Sequence, residues 1–404
     1  MGYRKIVLKY IHVFLMKGLK MLFEFTTANR IIFGAGTARQ AGELASNLGT
    51  NVLVVTGSAG DRNSFIFQDL ETRGLDCVPF TIPKEPTVAL ILSGVEKAVS
   101  AGCDLVVAIG GGSVIDGGKA IAALMTNPGN AIDYLEVVGK GMPISNPPAP
   151  TIVLPTTAGT GAEVTRNSVL LSEEHHVKVS MRSPLMLPDI AIVDPELTCS
   201  MPPHITAGTG LDALTQLMEA FVSINANPMT DALCREGIIR AAVALERAFL
   251  DGSDIAARND MCLASLWGGM ALANAKLGAV HGIAGPFGGM FPSPHGAVCG
   301  RLLPPVMDMN IIALKERSSD SKVLARYDEI ACLVLPGRKV SAQDGAVWVR
   351  ELCDRLEVPP LSTYGMSEND VDNLILQSEK SSSMKGNPIQ LTKEELGVIL
   401  RQAS

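Results

Sequence analysis

Between residue 30 and about residue 200, short runs of branched apolar residues alternate with mixed, helix-like stretches. Ile31-Ile32-Phe33, Val52 to Thr56, Cys77 to Ile82, Leu105 to Ile109, Ile152 to Thr156 and Ile190 to Val193 are apolar at most positions. Such runs suit strands buried on both faces. Thr37 to Leu48 and Val88 to Ala101 read as helices, closed by Gly49 and Gly102. The alternation predicts an α/β unit with a mostly parallel sheet covered by helices over residues 22–200. Met142 to Pro150 is Pro-rich and reads as a loop. Beyond Met201-Pro202-Pro203 the strand-like runs nearly vanish. Segments rich in Ala, Leu, Glu and Arg predict helices at 206–224, 228–250, 254–276, 322–335, 341–356, 367–379 and 392–402. Thr392 and Glu395 have the spacing of a capping box. Residues 201–404 are therefore expected to form an all-helical domain.

Composition narrows the function. The chain has 404 residues, 39 of them glycine, and is 47% hydrophobic but only 4% aromatic. Its formal net charge of −7 argues against nucleic acid as a partner, because phosphate binding needs a basic excess. Eight cysteines lie far apart without a CxxC pair, which reads as free thiols in a reducing cytoplasm rather than disulfides or a thiolate metal site. No uninterrupted apolar run is long enough to span a bilayer, so no membrane association is expected. Residues 1–21 carry Arg4, Lys5, Lys9, Lys17 and Lys20 and no acid. They lack the apolar core of a signal peptide, and are expected to be an extension before a natural start at Met21. An interfacial basic helix is the alternative.

Gly110-Gly111-Gly112-Ser113 follows a buried strand and opens a helix that carries Asp116. Glycines there let backbone approach a pyrophosphate, and the helix N-terminus then binds it. The string is neither GxGxxG nor a P-loop, and alone it is equally consistent with a βα turn that binds nothing. Pro155 to Thr165, with Thr156, Thr157 and Thr160, offers a second polar wall after another strand.

Two of the six histidines, His281 and His295, flank one Gly- and Pro-rich stretch, 278–296, which as a loop would bring both rings together. Asp212 and Gln216 lie one helical turn apart on an apolar helix. A buried acid with no nearby base calls for a cation, and Asp with two His is an adequate divalent site. His175-His176, beside Glu173-Glu174, reads as solvated surface.

In order and spacing these motifs resemble the iron-containing alcohol dehydrogenases, of the fold shared with glycerol dehydrogenase and dehydroquinate synthase, from about residue 22 onward. The resemblance implies that the first half binds NAD or NADP through Gly111, Gly112, Ser113, Thr156, Thr157 and Thr160. Gly57 and Ser58 follow the second strand, and Asn167 and Lys178 fall near the nicotinamide and its ribose. It implies a metal held by Asp212, His281 and His295, with Asp212, His281 and Lys178 serving catalysis, and a homodimer paired through the first half. Three positions depart from the family pattern. Gln216 replaces a histidine ligand, leaving a set similar to the zinc site of glycerol dehydrogenase unless its carbonyl coordinates. Gly285 replaces a histidine often assigned to proton relay. Gly57-Ser58 replaces an aspartate that would repel a 2′-phosphate, so NADP is expected to be tolerated.

The expected reaction is reversible hydride transfer between a small alcohol and nicotinamide, with zinc, iron or manganese as Lewis acid. A metal-independent reductase of the maleylacetate type is one rival. A dehydroquinate-synthase-like lyase is another, for which Arg235, Arg240, Arg247, Arg258 and Lys276 are the available cations, mostly at positions that read as solvated. A nucleotide-binding protein without catalysis is the third.

Overall fold

A computed structural model of the chain describes residues 22–58, 60–175, 177–318 and 322–404. The basic stretch 1–21 and His176 lie outside the described residues.

The strands are β1 Arg30–Phe33, β2 Asn51–Thr56, β3 Asp76–Thr81, β4 Leu105–Gly110, β5 Thr151–Pro155, β6 Asn167–Ser172, β7 Val177–Arg182 and β8 Ile190–Val193. Six of them form a parallel sheet in the order β1-β8-β5-β4-β2-β3. Alternate residues feed two cores. Val52, Val54, Val107 and Ile152 face one side, while Leu53, Val55, Val106 and Val153 face the other. Burial on both faces is why these strands read as continuous apolar runs. Helices α1 Ala41–Ala45, α2 Ser64–Thr72, α3 Val88–Ser100 and α4 Gly112–Thr126 connect them, with Thr37–Gln40 forming a 3-10 turn ahead of α1. The antiparallel pair β6–β7 was not anticipated. Its strands bury every second residue, a weaker signal than the runs of the main sheet.

The chain leaves β2 toward β3 on one side, while β4 leads to β5 on the other. The carboxyl ends of β2 and β4 therefore border the crevice where open α/β sheets bind ligands. Gly57 and the turn Gly110 to Ser113 sit there.

From Pro203 onward the described residues form helices and no strand. They are α5 Pro203–Val222, α6 Pro228–Leu250, α7 Ile255–Ala275, α8 Ala279–Met290, α9 His295–Arg317, α10 Lys322–Val334, α11 Ala342–Arg355, α12 Val371–Lys380 and α13 Lys393–Ala403. The Thr392–Glu395 capping box forms as expected.

The stretch 278–296 is not a loop. It is α8, with Pro286 inside it, followed by the start of α9. Neither helix suits its own propensity, since α8 is rich in glycine and α9 contains Pro304 and Pro305. Tertiary contacts supply what the local sequence lacks. Glu219 and Asn387 accept the first N–H groups of α8, from Ala279, Val280 and His281. In α9 the Gly300 carbonyl, which Pro304 cannot serve, accepts the Cys353 thiol at 3.2 Å. By length and mean hydropathy (1.3) α9 could cross a membrane, but 72% of that window is buried inside the protein.

Candidate active site

The glycine turn begins with Gly111, whose extended backbone caps α4. The turn and the threonine string end adjacent strands, with Gly110 opposite Pro155 and Thr156 N donating to the Gly110 carbonyl. A Cβ on Gly112 would lie 2.7 Å from Thr160 Oγ1, so only glycine lets the two walls come this close. The expected pair of facing walls is therefore present, with Thr157 against Gly111 and Thr160 against Gly112. Ser58 donates to the Pro83 carbonyl at 3.0 Å.

One buried residue, Lys119, locks these walls together. Its Nζ donates to the carbonyl of Ala162 at 2.9 Å, to Thr165 Oγ1 at 3.1 Å and to the carbonyl of Asn167, and lies 3.7 Å from Asp116. Asp116 in turn accepts Val169 N at 3.0 Å, so α4, the threonine string and β6 are held as one piece. Burial pushes the Asp116 carboxyl up to about 6 and that of Glu163, which also interacts with Lys119, up to about 7.

The second half supplies the other set of groups. Asp212, Gln216 and Glu219 occupy one face of α5, His281 the first turn of α8, and His295 and Cys299 the first turns of α9. Ligand atoms of Asp212, His281, His295 and Cys299 all lie within 4.8 Å of one another. His281 Nε2 is 3.1 Å from Asp212 Oδ1, and its Nδ1 is 2.6 Å from Glu219 Oε2. The two imidazole centroids are 5.5 Å apart. The helices cross this closely because Gly296 has no side chain: a Cβ there would be 2.1 Å from the Gly208 carbonyl oxygen.

The charges at this centre are mutually dependent. Burial would raise the Asp212 carboxyl, but His281 and His295 beside it hold it below its ordinary value. Burial opposes a charged His281, and the Cys299, Asp212 and Glu219 groups around it outweigh burial and raise it well above its ordinary value. Two buried carboxylates facing two imidazoles make a pocket that favours a cation. The buried Oε1 of Gln216 has no hydrogen-bond partner, while its Nε2 approaches the Thr160 carbonyl at 3.4 Å. The clustered Asp and His donors, with an orphaned amide oxygen one helical turn from Asp212, fit a divalent metal, hard and borderline donors together.

The structure thus brings together Asp212, His281 and His295, with Gln216 one turn along α5 from Asp212. Helix termini rather than a folded-back loop achieve it. Sequence reasoning missed Glu219, although Asp212, Gln216 and Glu219 share the i, i+4, i+7 spacing of one helix face. It also missed Cys299, one turn beyond His295. The eight cysteines are free thiols, as expected, but distance in sequence says nothing about Cys299 sharing a helix face with His295. Lys178 lies on β7, with Nζ 2.9 Å from Glu85 Oε1 and close to Gly288 of α8, so it borders the helix that carries His281.

Of the cations available to a lyase, Arg235, Arg240 and Arg247 are engaged by Glu329, by Glu236 with Asp260, and by Asp254. Arg258 is not solvated as expected. It is buried, donating to the Gly252 carbonyl and Thr206 Oγ1. His175 is exposed, as expected, and contacts Ser172 Oγ.

Comparison with known proteins accords with this arrangement. Residues 28–195 match the family described as iron-containing alcohol dehydrogenase, and residues 206–404 match the C-terminal part of the Fe-containing alcohol dehydrogenase family. A choline dehydrogenase of Bacillus subtilis is 34% identical over 94% of this chain and 94% of its own. A crystal structure of 1,3-propanediol oxidoreductase superposes with a TM-score of 0.87 at 32% identity, covering 95% of this chain and 100% of that one. The sulfoacetaldehyde reductase of Bifidobacterium kashiwanohense, solved in complex with NAD+, superposes with a TM-score of 0.84 at 28% identity, covering 95% and 99%. The chain belongs to the iron-containing alcohol dehydrogenase family, and is an oxidoreductase that interconverts alcohols and their carbonyl counterparts.

Proposed function

We propose that the chain carries out reversible hydride transfer between a small alcohol and the nicotinamide of NAD or NADP, with one divalent metal held by Asp212, His281 and His295. The observation that carries this reading is the position of Thr160. Its side chain abuts Gly112 in the cofactor turn, and its carbonyl lies 3.4 Å from Gln216 Nε2 on the helix of Asp212. A dinucleotide bound at the turn would therefore end beside the metal-binding cluster.

When bound, the metal supplies a Lewis acid that lowers the alcohol pKa in oxidation and polarises the carbonyl in reduction, a role open to iron, zinc or manganese. The remaining work falls to the protein. Glu219 accepts the Nδ1 proton of His281, which fixes the tautomer and leaves Nε2 free as a ligand atom facing Asp212. Free N–H groups of Gly112 and Ser113, with the α4 dipole, neutralise the pyrophosphate, and Gly111 keeps the approach open. Thr156, Thr157 and Thr160 close its other side. Asn167 is held by Lys119 through its carbonyl, which positions it at the edge of β6. Lys178, balanced by Glu85, is suited to hold ribose hydroxyls.

Gly57 and Ser58 present no carboxylate after β2, which favours tolerance of NADP. A Cβ on Gly285 would meet nothing within 4 Å, so the pocket is open where the family pattern has a histidine, and the proton leaves through water. Gln216 and Gly285 also favour, as a second reading, a metal-independent reduction of the maleylacetate type. Turnover of short-chain alcohols and aldehydes with each cofactor, before and after exhaustive chelation, tests both. Loss on chelation and recovery with added metal is the expected result. Undiminished turnover by metal-free protein would leave the second reading standing.

A further inference from the structure

We propose that Cys299 is a further donor to the metal, and that this soft ligand makes the site prefer zinc to iron. The proposal rests on the metal-site reading above and adds to it a ligand and a metal preference.

Cys299 follows His295 by one turn of α9, so the two side chains share a face. It is fully buried, with Sγ 3.6 Å from His295 Nε2 and 3.8 Å from His281 Nε2. Zinc bonds of about 2.3 Å to sulfur and about 2.0–2.2 Å to nitrogen or oxygen give tetrahedral edges of roughly 3.4–3.6 Å. The two sulfur–nitrogen distances lie at about that length. The third edge, 3.1 Å between His281 Nε2 and Asp212 Oδ1, is only slightly short. A thiol that merely filled a gap would need to touch one ring, whereas this one faces both.

Gln216 points the same way. It stands where the family pattern has a histidine ligand, its Nε2 turns to Thr160, and its Oε1 is buried without a partner. The donor missing from α5 is thus supplied by α9. On coordination the thiol proton leaves to solvent, and no electron transfer is involved. Thiolate favours zinc over iron or manganese relative to carboxylate and imidazole. Asp212, His281, His295 and Cys299 would then hold the metal through four protein donors, a set that zinc accepts.

The test uses metal-free full-length protein reconstituted with one equivalent of cobalt(II). Visible d–d bands report binding, and a near-ultraviolet thiolate-to-cobalt charge-transfer band reports sulfur. Wild type is expected to show both, Cys299→Ser only the d–d bands, and His295→Ala greatly weakened d–d bands. Zinc-loaded wild type should show a sulfur neighbour at about 2.3 Å by X-ray absorption, a measurement that needs no variant. In anaerobic competition, Cys299→Ser should bring the zinc-to-iron ratio down about tenfold from that of wild type. Cobalt bound through the histidines without a charge-transfer band, or with a band unchanged in Cys299→Ser, would overturn the role of Cys299 alone. Failure of wild type to bind cobalt would overturn the metal-site reading itself.

Discussion

Glu219 Oε2 lies 2.6 Å from His281 Nδ1, while the other oxygen of the same carboxylate accepts Val280 N at 2.7 Å. One side chain therefore caps α8 and orients the imidazole that α8 carries. Such outer carboxylates set the tautomer and basicity of a metal-bound histidine. Glu219→Ala is expected to weaken metal binding by about 10- to 100-fold. Titration of metal-free protein with zinc checks this, and an unchanged Kd would reduce Glu219 to a helix cap.

Lys119 is a buried cation that holds the cofactor walls from behind. Lys119→Met removes its bonds to Ala162, Thr165 and Asn167 and leaves Asp116 without its ion partner. Breaking a buried pair in this way costs about 3–5 kcal/mol. Urea unfolding should show that loss, and KM for the cofactor should rise more than kcat falls.

Glu163 gives stability a pH dependence. Its folded pKa is raised by burial from 4.5 to about 7. A raised carboxyl binds its proton more tightly when folded, so the contribution is fully present below 4.5 and is lost as pH climbs through 7. The shift corresponds to about 3 kcal/mol. Glu163→Gln should flatten the fall in stability across that window and leave the variant the more stable protein at pH 8. Unfolding free energies measured at several pH values decide it, and a slope equal to wild type would contradict the assignment.

Gly57 has room for a side chain, since a Cβ there would first meet Val114 Cγ2 at an ordinary 3.6 Å. Gly57→Asp would place a carboxylate after β2, facing the expected 2′-phosphate. Like charges at such a contact cost several kcal/mol, so kcat/KM for NADP should fall by about 100-fold or more. The value for NAD should change little. Equal losses with both cofactors would show that the position does not face the ribose.

Much of this was legible in the sequence because the relevant physics is local. Leu105 to Ile109 announces a strand buried on both faces, and Gly110 to Ser113 announces the turn after it. Asp212 was visible as an acid on an apolar helix with no base nearby. What escaped depended on partners far away in the chain. Gly- and Pro-rich 279–290 becomes helical only because Glu219 and Asn387 accept its first amides. Pro304 and Pro305 concealed α9, which packing sustains where propensity does not. Cys299 and Lys119 lay one turn from residues already singled out, and no local pattern marks a side chain whose role is set by groups distant in the chain.

The most direct test of the account is calorimetric titration of the metal-free chain with a divalent metal, with turnover followed in the same samples. The account predicts one metal per chain, alcohol oxidation rising in proportion to occupancy, and both lost in Asp212→Ala. Full turnover at zero occupancy would contradict it.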